Sequence, residues 1–428
     1  MKSNKKITRR NFITTGAVAA TTVITGFPFV RTSPAKEKPL KIGLIGCGGR
    51  GTGAVEDCIT SSPDIHLVAL ADLFPDRIQR CLETLKQPKK GKREKPLPNI
   101  EVKEDHCFSG FDCHKKLLET DVDLVLLAEP PGFRLLSFPA AIDAGKHVFI
   151  EKPVAVDPVS CRKIMEAGKK AKQKGLAVVA GTQRRHQKSY VETIKRIHNG
   201  QIGEVVSGQC YWNGSTLWHH GRDPQWTEME YQIRNWYYFC WLSGDHIVEQ
   251  HLHNIDVINW VIGTHPIRAL GVGGRQARTD PKYGYIYDHF AVDFEYPNNV
   301  HVMSMCCQYE KTDTKIGEFV IGTKGKSDPS GEILSPNKWK FEGESTYPYV
   351  QEHADLIASI RSGNPLNEAQ NVAESTMSLI MGRESTYTGK AITWDEIMSS
   401  NLDLSPKVYD FNAQPPKQAV PMPGQPRA

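Results

Sequence analysis

The chain has 428 residues, 39% of them apolar, which is enough for one large core or two ordinary ones, and we expect two domains. The formal charge of +5 is small for this length, so no nucleic-acid surface is expected. Ten cysteines are scattered through apolar contexts, which predicts mostly buried thiols and argues against a disulfide framework.

The N-terminus predicts an export signal. Residues 8–13 (TRRNFI) match the twin-arginine pattern, and a stretch of Ala, Thr, Val, Ile and Gly follows to about Phe29. This stretch is too short and too rich in Thr for a stable membrane span. We therefore assign residues 1–35 to a twin-arginine signal peptide, with the translocase as a partner during export and the periplasm as the destination.

The first element of the fold is an apolar run that breaks into a glycine loop, residues 41–51 (KIGLIGCGGRG). The pattern predicts a strand, a tight turn and the start of a helix. Gly46, Gly48 and Gly51 have the G-x-G-x-x-G spacing, which lets the backbone approach a pyrophosphate closely, and Gly49 lies in the same loop. The phosphates would then lie at the N-terminus of the helix.

The next strand supports a dinucleotide site. Residues 66–71 form an apolar run that ends in Asp72, twenty-one residues after Gly51. A carboxylate at this place binds the ribose hydroxyls of NAD and repels the 2′-phosphate of NADP, so NAD is the expected cofactor. Arg50 in the glycine loop keeps NADP as an alternative.

Alternating helices and strands continue this domain. Residues 122–128 and 145–150 are nearly continuous apolar runs, which are typical of parallel strands buried on both faces. Residues 176–180 form a last strand. The pattern predicts a doubly wound parallel sheet, a Rossmann NAD(P)-binding domain, over residues 36–182.

Side chains at the ends of these strands complete the predicted cofactor site. Glu129 and Pro130 follow one strand, and Glu151 and Lys152 follow the next, at the edge where doubly wound sheets bind ligands. Pro153 fixes the turn that presents Lys152. Lys152 is also the first candidate catalytic residue, although a surface Lys after a strand is commonplace.

The character of the chain changes from about residue 183. Strands become longer and alternate in polarity, as in residues 204–212 and 288–296, which indicates a mostly antiparallel sheet with one solvated face. Helical patterns at residues 245–261 and 349–387 would cover the other face of this sheet.

The pattern predicts an α+β domain for substrate binding and oligomerisation over residues 183–395. Residues 396–428 are rich in Pro, Gln and Ser, and we expect a tail, or an arm that wraps a neighbour.

A polar stripe within residues 244–260 (GDHIVEQHLHNIDVINW) is the second candidate for chemistry. At 100° per residue one helical face carries His246, Glu249, Gln250, His253 and Asp256. Glu249 and His253 would then be neighbours, and the carboxylate would raise the pKa of the imidazole. The same stripe also fits a solvent-facing surface.

Zinc binding by His246, Glu249 and His253 is the competing use of this stripe. Neither H-E-x-x-H nor H-x-x-E-H is present, and nicotinamide chemistry requires no metal, so we expect none.

The third candidate is the aromatic segment from Tyr211 to Trp241, which contains Trp236. Its flat apolar faces suit sugar rings and equally suit packing in a core.

Residues 41–392 resemble the Gfo/Idh/MocA oxidoreductases, a family that includes glucose-fructose oxidoreductase and inositol dehydrogenase. The resemblance rests on GCGGRG, AGKHVFIEKP, QRRH and GDHIVEQHLHNID, at residues 46–51, 144–153, 183–186 and 244–256. It implies a catalytic set of Lys152, Glu249 and His253. Glu249 stands where Asp is usual, His251 replaces a common Gly, and Arg134 lies where a cofactor-loop His is often found.

The resemblance implies an NAD(H)-dependent homo-oligomeric oxidoreductase that holds its cofactor tightly and oxidises a secondary hydroxyl of a sugar, glycoside or cyclitol. His253 would take the hydroxyl proton with Glu249 orienting it, and Lys152 would polarise the same oxygen. Further candidate substrate ligands are Arg184, Trp236, His246 and Asp256.

Two alternatives remain open. The first is an NAD-dependent glycosidase, in which temporary oxidation of the sugar ring lets the aglycone leave by elimination. The second is a non-catalytic sugar sensor that binds a dinucleotide. The sugar, the ring position that reacts and the oligomeric state do not follow from the residues.

Overall fold

The computed structural model describes residues 38–89, 93–417 and 419–425. The signal peptide predicted for residues 1–35 lies outside these residues and stays a prediction. No helix in the described ranges combines the length and the apolar character that a membrane span requires. All ten cysteines are free and eight of them are buried, which confirms the predicted thiols.

The first domain is built on a six-stranded parallel sheet. Its strands are β1 (Leu40–Ile45), β2 (Ile65–Asp72), β3 (Cys107–Ser109), β4 (Leu124–Leu127), β5 (His147–Ile150) and β6 (Val178–Ala180). Their order in the sheet, β3-β2-β1-β4-β5-β6, confirms the predicted doubly wound Rossmann fold. The sequence pattern does not reveal β3 (CFS), because this short strand lies outside any longer apolar run, whereas the equally short β6 lies within one.

Helices cover both faces of this sheet. They are α1 (Gly49–Ser61), α2 (Pro75–Lys86), α3 (Cys113–Leu118), α4 (Arg134–Asp143) and α5 (Pro158–Gln173). The glycine loop leads from β1 directly into α1, so the N-terminus of α1 points over the carboxyl edge of the sheet.

The second domain contains a nine-stranded sheet. Its strands are β7 (Val205–Gly214), β8 (Arg268–Gly274), β9 (His289–Tyr296), β10 (Val300–Gln308), β11 (Lys315–Gly322), β12 (Lys326–Asp328), β13 (Glu332–Ser335), β14 (Trp339–Lys340) and β15 (Ile392–Thr393). Neighbouring strands run antiparallel except for β7 and β10, which confirms the predicted mostly antiparallel sheet.

Eight α-helices follow the first domain in the described part of the chain. They are α6 (Lys188–His198), α7 (Glu228–Arg234), α8 (Cys240–Ser243), α9 (His246–Glu249), α10 (Leu252–Ile262), α11 (Pro348–Arg361), α12 (Ala369–Thr388) and α13 (Trp394–Ser399). α10 and α12 cover one face of the sheet, and α12 also packs on α5 of the first domain.

The helical pattern predicted for residues 349–387 forms two helices, which pack on different domains. α12 covers the second sheet, as expected. α11 instead returns to the first domain, where Leu356 and Ile357 join the core cluster that contains Ile42 and Leu44 of β1. The expectation for α11 was wrong because a helix pattern shows an apolar face and leaves open which sheet that face covers.

The other face of the second sheet is open to solvent. Burial alternates along β10, as expected for one covered and one exposed face. Three apolar side chains on this open face are about half exposed or more, namely Leu270, Val272 and Met303.

The C-terminal tail lies against its own chain in the structure. The backbone nitrogen of Leu404 donates to Oδ2 of Asp157 over 3.0 Å, at the start of α5. Further along, the hydroxyl of Tyr287 donates to the carbonyl oxygen of Pro421 over 2.8 Å. The tail therefore crosses from the first domain back to the second.

Candidate active site

The glycine loop leaves room for phosphates at the start of α1. Gly46 has a φ of +96°, and a Cβ there would lie 2.3 Å from the backbone nitrogen of Glu129. A Cβ on Gly51 would lie 1.9 Å from the carbonyl oxygen of Gly46. At Gly48 and Gly49, by contrast, a Cβ would meet no described heavy atom within 4 Å. Two glycines thus close the turn and two leave open space, which fits a dinucleotide's diphosphate.

Asp72 is held at the end of β2. Its Oδ2 accepts from the backbone nitrogen of Cys47 over 2.7 Å, and its Oδ1 accepts from that of Phe74 over 2.9 Å. Burial raises the pKa of the Asp72 carboxyl. Two backbone donors fix this side chain beside the glycine loop, where it fits the adenosine ribose of a bound dinucleotide.

Arg50 is turned away from Asp72. Its guanidinium pairs with Asp57 at 3.1 Å and Glu352 at 3.2 Å, and Nε donates to Glu151. The same group lies over the ring of Tyr349, 4.9 Å from its centroid. Arg50 is thus committed to carboxylates of its own chain, which removes the reason for keeping NADP as an alternative.

One large cavity joins these groups to the second domain. It has a volume of about 740 Å³, within the usual range for ligand sites. Most of the predicted site residues line it, namely Gly46, Gly48, Gly49, Arg50, Asp72, Glu129, Pro130, Glu151, Lys152, Trp236, Glu249 and His253. Gly51 is buried beneath the loop, where it is required for the turn.

Lys152 and Glu249 form an ion pair across the cavity. Nζ of Lys152 donates to Oε1 of Glu249 over 2.9 Å and also to the backbone oxygen of Glu249. Oε2 of Glu249 accepts from Nε2 of Gln250 over 2.5 Å. Only 11% of the Lys152 side chain and 9% of the Glu249 side chain are exposed, so solvent screens this pair weakly.

The expected pairing of Glu249 with His253 is wrong. Gln250 and His251 separate α9 from α10, and the Glu249 carboxylate bonds to Lys152 and Gln250 instead. Burial, and after it the charge of Lys152, lowers the pKa of His253 well below its ordinary value, where the sequence predicted a rise. The predicted contact fails because the helix is interrupted between the two residues. A helical wheel assumes one continuous helix and cannot show such an interruption.

His253 is a neutral imidazole at the cavity wall. Its ring stacks on that of Trp212, with centroids 5.6 Å apart and planes 27° apart. Its Nδ1 is buried and has no hydrogen-bond partner among the described residues. A buried nitrogen without a partner costs free energy, so this atom is placed to bond a ligand or a water.

Three predicted substrate ligands do not line the cavity. Each is held by a partner of its own: Arg184 pairs with Glu318, Asp256 pairs with Arg185, and Nδ1 of His246 bonds to Asp245. These side chains hold the second domain together. The predicted common face of His246 and Asp256 fails for the same reason as above, since the two residues belong to different helices.

An unpartnered carboxylate oxygen marks the loop after β4. Oε1 of Glu129 accepts from the hydroxyl of Ser137, while Oε2 is buried and without a partner in the described residues. Burial raises the pKa of Glu129.

Arg134, which the sequence analysis noted as a departure from the family, donates to the backbone oxygens of Glu129 and Pro153. It thereby ties the loop after β4 to the loop that carries Lys152.

Aromatic side chains that the sequence singled out only as a group form one wall. Trp212 and Trp218 line the cavity with Trp236, and the rings of Trp218 and Trp236 are 5.9 Å apart. Three phenylalanines were missed altogether: Phe74, Phe111 and Phe133, which follow β2, β3 and β4. Their position after a strand is the signal that identifies them, since ligands bind at that edge.

Within the described ranges, no group of three or more His, Cys, Asp or Glu side chains is arranged to hold a metal ion. His246 bonds to Asp245, Glu249 pairs with Lys152, and His253 faces Trp212.

Similar proteins have names from sugar and cyclitol chemistry. Inositol 2-dehydrogenase of Salmonella paratyphi B is 27% identical over 225 residues, which are 52% of this chain and 54% of that protein. The chain thus spans about half the length of this relative. A glycosyl hydrolase family 109 protein of Streptomyces niveus is 26% identical over 188 residues, 44% of this chain and 34% of that protein.

Solved structures share the fold. Aldose-aldose oxidoreductase from Caulobacter crescentus, complexed with glycerol, aligns with a TM-score of 0.64 and 18% identity over 83% of this chain and all of that one. Scyllo-inositol dehydrogenase from Lactobacillus casei, with bound NAD(H) and scyllo-inositol, aligns with a TM-score of 0.62 and 19% identity over 83% of this chain and 99% of that one.

Two family models cover most of the chain. The model of the oxidoreductase family with an NAD-binding Rossmann fold matches residues 40–181, and the model of the GFO/IDH/MocA C-terminal domain matches residues 190–327. The chain therefore belongs to the Gfo/Idh/MocA family of oxidoreductases, with an NAD-binding Rossmann fold as its first domain.

Proposed function

We propose that the protein oxidises a secondary hydroxyl of a sugar, glycoside or cyclitol and passes the hydride to NAD. The observation that carries this proposal is that one cavity is lined both by the glycine loop with Asp72 and by Lys152 with His253. The names of the relatives and structural neighbours, which are enzymes of inositols and aldoses, support a polyhydroxylated substrate.

His253 is proposed as the base. A neutral imidazole accepts a proton, and the low pKa of His253 keeps it in this form throughout the neutral range. Lys152 is proposed to polarise the same hydroxyl oxygen with its ammonium group. Glu249 holds that ammonium in place through two contacts, so its role is to orient Lys152.

NAD, when bound, supplies the hydride acceptor. The glycine loop, Asp72 and the loops after β4 and β5 would hold it, because these residues line one continuous cavity. The indoles of Trp212, Trp218 and Trp236 form the apolar surface near Lys152 and His253, which suits the flat C–H face of a sugar ring.

The test is an assay of purified protein against a panel of sugars, glycosides and cyclitols, with cofactor absorbance and mass spectrometry of products as readouts. A keto-sugar or keto-cyclitol supports the proposal. Because no step requires a metal, we expect EDTA to leave turnover unchanged. Restoration of an EDTA-treated enzyme by zinc or manganese would overturn the assigned roles.

An NAD-dependent glycosidase is the second candidate, and the similarity to a glycosyl hydrolase family 109 protein favours it. In this reaction oxidation is temporary, and the acidified neighbouring hydrogen allows the aglycone to leave. Product analysis separates the two candidates, because a glycosidase releases free sugar and aglycone. A function unaffected by Lys152→Met would instead support a dinucleotide-bound sugar sensor.

We also propose that the protein is exported to the periplasm by the twin-arginine translocase with its cofactor already bound. The motive is the TRRNFI segment at residues 8–13 in a protein that binds NAD. The test is fractionation of cells that express the full chain, with Arg9→Lys and Arg10→Lys as the matched control. Retention of NAD(H) through dialysis supports loading before export, and recovery without cofactor contradicts it.

A second copy of the chain is proposed to cover the open face of the nine-stranded sheet. Half-exposed apolar side chains of β8 and β10, the two strands that flank β9, lie on this face, where a monomer would leave them in water. Light scattering after gel filtration tests this. Val272→Asp on this face should shift the protein toward the monomer, whereas Met422→Asp, equally exposed but in the tail, should not.

A further inference from the structure

The tail passes behind one wall of the cavity. Phe74, Phe111 and Phe133 line the cavity, and their rings also contact two aromatic residues of the tail. The ring of Phe411 lies 4.9 Å from that of Phe111 and 5.6 Å from that of Phe74. The ring of Tyr409 lies 5.8 Å from that of Phe133. Two residues of the tail thus support three residues of the wall.

This wall lies at the adenosine end of the cavity. Asp72, which fits the adenosine ribose, is two residues before Phe74, and Phe111 follows the neighbouring strand β3. Phe74 is also held from the second domain, because the guanidinium of Arg234 lies 3.8 Å from its ring centroid. Phe74 is therefore fixed by groups from two distant parts of the sequence.

The supporting segment has little backbone structure of its own. In residues 400–417 the backbone forms no helix or strand. The segment is held to the body before and after its aromatic residues, by Leu404 on Asp157 and by two later contacts. These are Tyr287 with Pro421 and, over 3.1 Å, the backbone nitrogen of Gly424 with the oxygen of Thr388. Between these anchors, the contacts of Tyr409 and Phe411 with the wall set the position of the segment.

We infer that Tyr409 and Phe411 are positioning residues for the cofactor, which close the adenosine end of the cavity and slow the dissociation of NAD. Rings that are packed from behind keep one orientation, whereas rings exposed to water on that side would turn and open an exit. The inference rests on the proposed function because it assumes that the cavity binds NAD. It extends that function by naming what retains the cofactor in a protein that is exported with it.

The test measures the release of NADH from the full-length protein without any sugar. Wild type, Tyr409→Ala, Phe411→Ala and the double variant are loaded with NADH, and its fluorescence is followed after a large excess of NAD is mixed in. We expect the double variant to release NADH at least about tenfold faster, since losing two ring contacts weakens the closed wall. Val408→Ala is the matched control, because Val408 lies beside Tyr409 and its side chain is 58% exposed.

Thermal melting shows which variants are folded. If the alanine variants unfold, the release of NADH is measured on Phe411→Leu instead. This variant keeps apolar bulk and loses the ring. Release from the folded variants at the wild-type rate would overturn the inference. Because no substrate is present, this outcome is independent of the proposed reaction. If the protein oxidises no sugar but the variants release NADH faster, the proposed reaction is wrong and the inference about the tail stands.

Discussion

At the scale of single residues, the ion pair between Lys152 and Glu249 is the centre of the proposed chemistry. The sequence placed both residues in the site, and the structure changed the partner of Glu249 from His253 to Lys152. This changes the expected behaviour of variants, because the acid-base properties of His253 no longer depend on Glu249.

Lys152→Met should nearly abolish hydride transfer while cofactor binding persists. The ammonium acts on charge that develops at the hydroxyl oxygen, and groups of this kind contribute about 100-fold to 10,000-fold. Turnover and NADH titration measure the two effects separately. Lys163→Met on the exposed side of α5 is the control. A loss of less than about tenfold would remove Lys152 from the mechanism.

The pH profile should report a histidine of low pKa. Protonation removes the base, and because the pKa of His253 is lowered, the acid limb of kcat/KM should lie well below 6.5. Glu249→Gln should reduce turnover by loosening Lys152 and leave that limb in place. His66→Gln, far from the cavity, is the control. An acid limb with its midpoint at or above pH 6.5, or an acid limb that shifts in Glu249→Gln, contradicts the assignment of His253 as the base.

Asp72 should set the preference for NAD over NADP. Asp72→Asn removes the charge that repels a 2′-phosphate, and the ratio of the two dissociation constants should fall by about tenfold to a hundredfold. Arg50→Ala should leave this ratio unchanged, because the Arg50 guanidinium is held by Asp57, Glu151 and Glu352. Fluorescence titration with both reduced cofactors measures the ratio.

At the scale of elements, the glycine loop was predictable because its spacing is local. Gly46, Gly48 and Gly51 were assigned from the sequence, and the structure shows that a Cβ would overlap backbone atoms at Gly46 and Gly51, whereas Gly48 faces open space. The stripe on residues 245–261 was not predictable in the same way. The helix is interrupted at Gln250 and His251, between α9 and α10, and nothing in the apolar spacing marks that interruption.

Gly51→Ala should damage both the fold and cofactor binding. Its Cβ would overlap the carbonyl oxygen of Gly46, and overpacking of this kind costs about 1–3 kcal/mol. Gly53→Ala is the matched control two residues on. Its Cβ would have one ordinary contact at 3.6 Å, and the gain in helix propensity should stabilise α1 by up to about 1 kcal/mol. Urea unfolding and NADH titration of both variants measure the contrast, and equal effects would contradict it.

At the scale of the whole molecule, buried histidines connect stability to pH. Burial lowers the pKa of His251 to about 3, and burial also lowers the pKa of His353 and His253 well below 6.5. His186 behaves in the opposite way: burial opposes its charge, but bonds to Asp355 and Glu368 raise its pKa to about 10.

The free energy of unfolding should therefore fall when the pH drops below 6.5. There the unfolded chain binds protons that the folded chain excludes, and each buried neutral histidine contributes a slope of up to about 1.4 kcal/mol per pH unit. The contribution of His186 is present below 6.5 and is lost as the pH rises through about 10. Urea unfolding between pH 7.5 and pH 5.5 measures the first effect, and His353→Phe should reduce the slope. A flat profile would contradict the neutral assignment.

Much of the fold and of the cofactor site follows from neighbouring residues. A strand that breaks into glycines, an acidic residue at the end of the next strand and a Lys-Pro turn after a buried run each require a few adjacent positions. Their physical requirements are local: a positive φ, a close backbone approach, a side chain at a strand end. The Rossmann domain, its preference for NAD and the place of Lys152 could therefore be recognised before any contact was known.

Long-range packing decided the rest. Whether Glu249 meets His253 or Lys152, whether α11 covers the first or the second sheet, and where the tail lies all depend on contacts between residues that are distant in the chain. An apolar face or a charged side chain limits the chemical kind of partner it can pack against or pair with, and many residues of the chain satisfy that limit. The choice among them is made by the free energy of the complete packing, which assigns each buried surface and each buried charge to a partner at once.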